Sequence, residues 1–428
     1  LPAGSGTGGT TGAGATSGIR GPIKTGVGVT ATSIKVGFQL IDAGTAAQST
    51  GTKGGTGTVS PAQLVNAVVN YVNNHGGITG RKIDAITNIY NAETDNYTTA
   101  AQAGCTKFTE DNHVFAGITT ADSLPDVFIS CLAAHSTPAI VYGDTAYDDT
   151  DYRQWPDFYT LANVDASRWG FYIDDLVADG FLSKAHRIGL IESDMPRVQR
   201  MITEVLKPRL AAHGLTVAAE ATVRHIDSIS GLSNTSADDS SAVLRFRSAN
   251  IDRALFVDTQ GGGPYFFLQE AEQQGYRPLY GFTSLEKMVQ MTANAPAAQL
   301  HGGQAVGWWP VLDVEAPQDP GGRPQYTFCR SLFRAAGISN FAGRYAERDA
   351  MGVCDGVYFL KTALERASEL TPPGLRNAVE AMGGAFAPAA TFATRYGPGD
   401  HWGVHTVRDL AFDDACGCWK YVGAAHNV

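Results

Sequence analysis

The chain is predicted to be an α/β protein made of two doubly wound lobes, and three observations carry that expectation. Short apolar runs, too brief for helices, alternate with segments of helical period along most of its length. One stretch, residues 113–127, shows the unit most plainly: Val114 to Ile118 reads as a fully buried parallel strand, and Thr119 to Ser123 then offer hydroxyls and a carboxylate where a new helix must begin. After Asn163 the rhythm restarts in a second block of similar size, which implies two similar lobes rather than one large sheet.

In order, a strand at 33–40 is followed by a Gly/Thr-rich loop at 42–58 and a helix at 61–74. Ser60 suits the cap of that helix and Pro61 its first turn, Leu64, Ala67, Val68, Tyr71 and Val72 share one face, and His75-Gly76-Gly77 ends it. A strand at 82–90, a helix at 94–111, the central strand, a helix at 123–134 and a strand at 138–142 complete the first block, with a polar turn, Gly143-Asp144-Thr145, behind the last strand. The second block has a helix at 166–179, a strand at 187–192, a helix at 195–213, strands at 215–223 and 253–258 with a helix at 240–248 between them, the Gly261 to Gly263 turn, a helix at 265–274 and strands at 279–282 and 301–309. Helices are expected at 325–336, 348–369 and 371–382, and strand-like pieces at 404–412 and 418–422.

With 428 residues, 43% of them hydrophobic, the chain can fill two cores. No run of about eighteen apolar residues is present. A formal charge of −10 without a basic cluster argues against nucleic acid or anionic lipid as partner. Residues 1–28 are almost all Gly, Thr, Ser and Ala and are expected to be a flexible tether spanning roughly 30 Å. The opening Leu1 lacks the pattern of a signal peptide and suggests a mature or trimmed form, and the tether suggests a lipid-anchored exported protein whose anchoring cysteine is outside the sequence. Six cysteines, none in CxxC spacing, fit bridges in an oxidising compartment, paired Cys105 with Cys131, Cys329 with Cys354 and Cys416 with Cys418. The alternative is that all six are reduced and buried.

Gly-Val-Thr-Ala-Thr-Ser-Ile-Lys-Val-Gly at 28–37, Asn-Asn-His-Gly-Gly-Ile-Thr-Gly-Arg-Lys at 73–82 and the order of the blocks resemble the type I solute-binding proteins of ABC importers, in particular the branched-chain amino acid-binding or extracellular ligand-binding receptor branch. The resemblance implies two lobes joined by three crossovers and closing on a ligand, with crossovers near 163–165, 309–311 and 396–401. Lobe 1 would then be 29–163 with 311–396, and lobe 2 would be 164–310 with 397–428. It implies a ligand carboxylate at the Thr120 hydroxyl with Thr119 and Asp122 beside it, and contacts from the turn carrying Gly143, Asp144 and Thr145. In lobe 2 the match is looser: Arg197 stands where a tyrosine is usual, and Thr283 or Ser284, with Glu286 beyond, stands where an acid usually meets the ammonium group. Asp194, Gln260 and Gly261 complete the candidates, and Trp308 and Trp309 could floor the cleft or equally pack in the core or hinge. Plain helix capping by Thr119, Thr120 and Asp122, and a solvated Arg197, are the competing readings.

The implied role is an extracytoplasmic, monomeric binding subunit that hands a small-molecule solute to ABC permease subunits and needs no cofactor. A sensor module of the same fold is the alternative. An enzyme is disfavoured, since no Gly-x-Ser-x-Gly elbow, Walker A or His-Glu-x-x-His sequence occurs. His401 and His405 with Cys416 and Cys418 are the one metal-like set, and Gly403 beside them argues against the helix that would align the histidines.

Overall fold

The computed structural model describes residues 23–42, 59–120, 126–143, 145–225, 232–258, 263–341 and 343–428. Five parallel strands, β1 (Ser33–Asp42), β2 (Lys82–Asn91), β3 (Ala116–Thr119), β4 (Ala139–Val141) and β5 (Phe158–Thr160), form a sheet in the order β2-β1-β3-β4-β5. A two-residue strand, β6 (Asn163–Val164), then leaves that sheet. The next five strands are β7 (Ile188–Ser193), β8 (Val217–Val223), β9 (Arg253–Val257), β10 (Leu279–Thr283) and β11 (Gln304–Gly307). They repeat the same permutation, β8-β7-β9-β10-β11, again all parallel. The two-lobed α/β expectation is therefore met, down to an identical strand order in each lobe.

Between the two sheets sits a third, in which β12 (Thr394–Gly397) and β13 (Asp400–Val404) pair with β6. The chain then adds β14 (Thr406–Asp413) antiparallel to β11, β15 (Cys418–Tyr421) beside it, and β16 (His426–Asn427) against the start of β14. The three disulfides are Cys105–Cys131, Cys329–Cys354 and Cys416–Cys418, the pairings expected.

Local chemistry explains the helix limits. The Ser60 hydroxyl accepts from the Gln63 backbone N–H at 3.3 Å while the Gln63 side chain accepts from Ser60 N–H at 3.0 Å, closing a capping box ahead of Pro61–Asn74. Gly76 and Gly77 follow at φ +95° and +68°, conformations that stop the helix and turn the chain toward β2. The buried face of this helix includes Val65 and Val69 as well as the expected stripe, because the helices Pro324–Ala335 and Arg344–Leu364 pack on it from the C-terminal part of the chain.

Some limits differ from the expected ones. The helix expected over 232–248 only in its second half runs Leu232–Ser248; its polar first turns looked like a loop. The helices expected at 94–111 and 195–213 contain wider five-residue turns at Lys107–Asp111 and Ile202–Leu206. The strand expected at 301–309 is shortened to β11, its start taken by a turn at His301 and Gly302, φ +68°, that follows the helix Ala297–Leu300. Most of the expected tether and the loop at 43–58 lie outside the described residues. From Lys24 onward, however, the tether reading needs correction: Gly26 N–H donates to Leu370 O at 2.8 Å and Leu370 N–H to Lys24 O at 2.8 Å, so this end is docked.

Helix Arg344–Leu364 is the element that most directly shapes the top of the first sheet. Two glycines four residues apart let it lie directly on the strands: a Cβ at Gly356 would come 2.6 Å from Ile118 Cγ2, and one at Gly352 would come 2.8 Å from the Tyr142 ring and 2.9 Å from Thr120 Cγ2. Mid-helix glycine ordinarily costs about 1 kcal/mol relative to alanine. Overpacking here costs more, about 1–3 kcal/mol. Gly356→Ala is therefore expected to lower stability despite its better helix propensity, read as a reduced denaturation midpoint with an unchanged slope; a gain would show that the helix can move off β3.

Candidate functional site

In an open α/β sheet the crevice at the carboxyl ends of the strands lies where the strand order reverses, here between β1 and β3 and again between β7 and β9. The first crevice opens into a small cavity of about 40 Å³ lined by Leu40, Asp42, Leu64, Thr120, Phe341 and Asp349, among others. Thr119, the last residue of β3, pairs with Gln39 and Val141, and its carbonyl accepts from Tyr142 N–H at 2.9 Å. Thr120, next in the chain and 4% exposed, reaches the cavity.

Arg348 stands behind Thr120, fully buried. Its Nη1 donates to Thr120 O at 3.1 Å and to Asp349 Oδ1 at 2.7 Å. Its guanidinium also lies 5.5 Å from the ring centroids of Tyr142 and Tyr345 and 5.6 Å from that of Trp309. Tyr142 packs edge-on against Trp309, and burial pushes its phenol well above the usual range. Trp309 is thus part of the arginine's aromatic surround, whereas Trp308 faces Trp169 and Phe171 and donates from Nε1 to Ala162 O at 2.7 Å, in packing at the waist.

Gly143 adopts φ +83°, and a Cβ there would collide with the buried Asn163 side chain. Thr145 does not face the cavity. Its hydroxyl donates to Asp258 Oδ2 at 2.6 Å, and Ala146 N–H donates to the same oxygen at 2.9 Å, across from the first lobe to the end of β9 in the second. Arg197 crosses in the opposite sense. It is 6% exposed, so the solvated reading fails; it pairs with Asp126, lies 3.7 Å from Asp151 and stacks 4.5 Å over the Tyr147 ring. Arg200, one turn along, forks onto Asp148 with two bonds of 3.0 Å. Burial raises the Asp151 carboxyl despite the arginine beside it; burial also opposes ionisation of Asp148, but the Thr150 backbone N–H and Arg200 outweigh it and hold that carboxyl low.

The remaining second-lobe candidates hold the lobe together. Asp194 is exposed and accepts from His225 N–H at 2.8 Å. Thr283 is fully buried as the cap of the short turn Ser284–Glu286, and its N–H and hydroxyl both donate to Glu286 Oε2 at 2.8 Å, so both side chains serve a capping box. Ser284 Oγ accepts from Trp308 N–H at 2.7 Å and Trp309 N–H at 3.2 Å and donates to Asp313 Oδ2 at 3.0 Å. Lys287 follows in a left-handed conformation, φ 55°, buried, with Nζ 5.5 Å from the Tyr345 ring of the helix that covers the first sheet. Asp122, Asp144, Gln260 and Gly261 lie outside the described residues.

A family model described as periplasmic binding protein matches residues 34–412. The chain belongs to the periplasmic binding protein family. Its fold is the type I fold of that family: over 93% of this chain and 96% of the other it superposes on an ABC transporter substrate-binding protein from Aeropyrum pernix at TM-score 0.69 and 15% identity. A branched-chain amino acid ABC transporter protein from Thermus thermophilus with bound valine gives 0.67 at 14% identity, covering 93% and 97%. A fatty acid ABC transporter substrate-binding protein from Thermomonospora curvata gives 0.65 at 17%, covering 95% of each. No match was found among curated protein sequences.

Within this periplasmic binding protein the metal-like set is otherwise engaged. His401 Nε2 lies 3.3 Å from Glu380, His405 pairs with Asp400 at 3.0 Å, both in or beside β13, and the two cysteines form a disulfide. The residues that sequence reasoning passed over are Arg348, Lys287 and Asp258. Arg348 carried one legible signal, a charge on the buried stripe of its helix with Gly352 and Asp355. Asp258 carried another, a carboxylate at the carboxyl end of an apolar strand. Lys287 carried none.

Asp313 pins the waist of the periplasmic binding protein, since Oδ2 also accepts from Trp309 N–H at 2.8 Å and from Tyr421 Oη at 2.5 Å. Burial nevertheless pushes its carboxyl up to about 7. The folded state thus holds this proton more tightly than the unfolded chain, and the stability so contributed is full below about pH 4 and lost as pH rises through about 7. Between pH 6 and 8 the loss from one such group is about 1 kcal/mol. Asp313→Asn is expected to flatten the pH dependence of chemical denaturation over that window by this amount, whatever its effect at a single pH; an unchanged slope would show that Asp313 is ionised throughout.

Proposed function

We propose that the chain is the extracytoplasmic solute-binding subunit of an ABC importer, capturing a small polar solute between its lobes by hinge closure. An amino acid, an amide or a carboxylate-like molecule is the class proposed. The observation that carries the reading is that two sheets of identical strand order are joined through a small sheet at the waist, with Thr145 of one bonded to Asp258 at the strand end of the other. Crevices opposed in this way enclose a molecule when the waist bends. Family membership supports the reading, as do the importer proteins of the same fold. Among the described residues no helix is long and apolar enough to cross a membrane, which fits a protein that meets its permease from outside.

In this proposal the lobes are 29–163 with 311–396 and 164–310 with 397–428, and an N-terminal lipid anchor holds a monomer near the permease. The Thr120 hydroxyl at the cavity and the backbone of Gly143 receive the polar end of the solute, with Asp122, Asp144, Gln260 and Gly261 as further contacts. Neutral donors suit a carboxylate in a closed cleft, where an uncompensated charge would be costly. Thr145 and Arg197 act in closing the lobes, and Thr283 and Ser284 in holding the second lobe and the waist, rather than on the solute.

A thermal-shift screen against amino acids, aliphatic and aromatic acids and their amides tests the reading. A solute at a hundred times its Kd adds about 2.7 kcal/mol to stability and raises the melting temperature. Thr120→Val is expected to weaken the best solute about tenfold, in line with loss of a hydrogen bond to a charged group. Silence across the whole panel would overturn the proposed class of solute.

A further inference from the structure

We infer that the lobes carry their own electrostatic latch, which populates the closed form before solute arrives. Arg197 and Arg200, on the helix that begins at Pro196 behind β7, face three carboxylates of the other lobe. Asp126 opens the helix after β3, and Asp148 and Asp151 form the capping box of the helix Asp149–Gln154 after β4. Arg200 forks onto Asp148, and Arg197 reaches Asp126 and approaches Asp151. On the same seam Asp258 returns a carboxylate from the second lobe to the Thr145 hydroxyl and the Ala146 N–H. All of these contacts join groups of the protein to one another across the cleft.

The charges are sorted by lobe. Both cations come from the second lobe and the three aspartates facing them from the first, so the attraction acts on the opening coordinate and on little else. Asp126 and Arg200 have side chains 50% and 30% exposed and feel salt; Arg197 and Asp151, at 7% and 6%, are shielded from it. Opening would also strip Arg197 from the Tyr147 ring. The latch therefore has a salt-sensitive rim and a salt-resistant centre. Its consequence for affinity rests on the solute-capture reading above: solute affinity scales with the fraction of protein already competent, so a latch that changes the closed fraction changes Kd with no contact to the solute.

The test is small-angle X-ray scattering on protein stripped of co-purified solute by dialysis from guanidinium, with circular dichroism confirming the fold of each variant. Raising salt from about 50 mM to about 1 M shortens the Debye length to roughly 3 Å, and the wild-type radius of gyration is expected to grow as the rim loosens. Arg200→Gln is expected to open the protein at low salt, by about fivefold in the open-to-closed ratio, and to blunt the salt response. Arg200→Lys should restore that response. Asp258→Asn, which leaves the arginines in place, should open the protein while keeping the salt dependence. A radius unchanged by salt, by Arg200→Gln and by Asp258→Asn would overturn the latch. Because no solute is present, that result is separate from a failed solute screen, which would overturn the capture reading alone.

Discussion

A parallel sheet in 2-1-3-4-5 order cannot close its own top. Where the order reverses, the helices leaving adjacent strands go to opposite faces and the strand ends are left exposed in a crevice. This chain builds that arrangement twice, and its polar residues of consequence collect at the two openings. Thr119 ends β3 and Thr120 follows it, Tyr142 follows β4, Asp258 follows β9 and Thr283 ends β10. Each opening limits the water available to these groups, so each must find a partner in its own lobe, across the seam or in a solute.

The partners are divided unevenly. On the second lobe Thr283 and Glu286 satisfy each other, while Ser284 bonds Asp313 and the tryptophan backbone and so joins that opening to the waist. On the first lobe the cavity mixes Leu40, Leu64 and Phe341 with Asp42, Thr120 and Asp349, and the covering helix is held down by close contact at its glycines and by the Arg348 bond to Thr120 O. One jaw is thus organised by polar contacts alone and the other by polar contacts together with close packing at glycine. The seam between them is fastened by charge.

Much of the architecture could be read from the residues. Apolar runs of strand length, caps such as Ser60, the Gly76-Gly77 stop and the restart after Asn163 are local signals, and local signals survive without knowledge of the tertiary structure. The same is true of Cys105 and Cys131, which lie on helices flanking β3. The site was less legible. Thr120 lies at an opening, yet Thr145 and Arg197, chosen from the same kind of turn, meet groups of the opposite lobe. Nothing local says whether a hydroxyl at a strand end will face a cavity or a carboxylate more than a hundred positions away in the chain. Arg348 and Lys287 escaped for a related reason, since their burial is created by Tyr142, Trp309 and Tyr345, which converge only in the folded molecule.

The late return of Arg344–Leu364 to the first sheet also shapes how the molecule can come into being. Strand β3 emerges early in synthesis, but the helix that seals it is more than two hundred residues behind, with nearly all of the second lobe between. An N-terminal jaw made first would have to wait with one hydrophobic face uncovered until that helix arrives. Contacts of such long sequence separation carry a loop-closure cost before they repay it, which slows folding and prolongs exposure of apolar surface. Chaperoned delay would suit this chain better than rapid folding of its first half, and Cys329 and Cys354, 25 positions apart on neighbouring helices, tie the returning segment to itself.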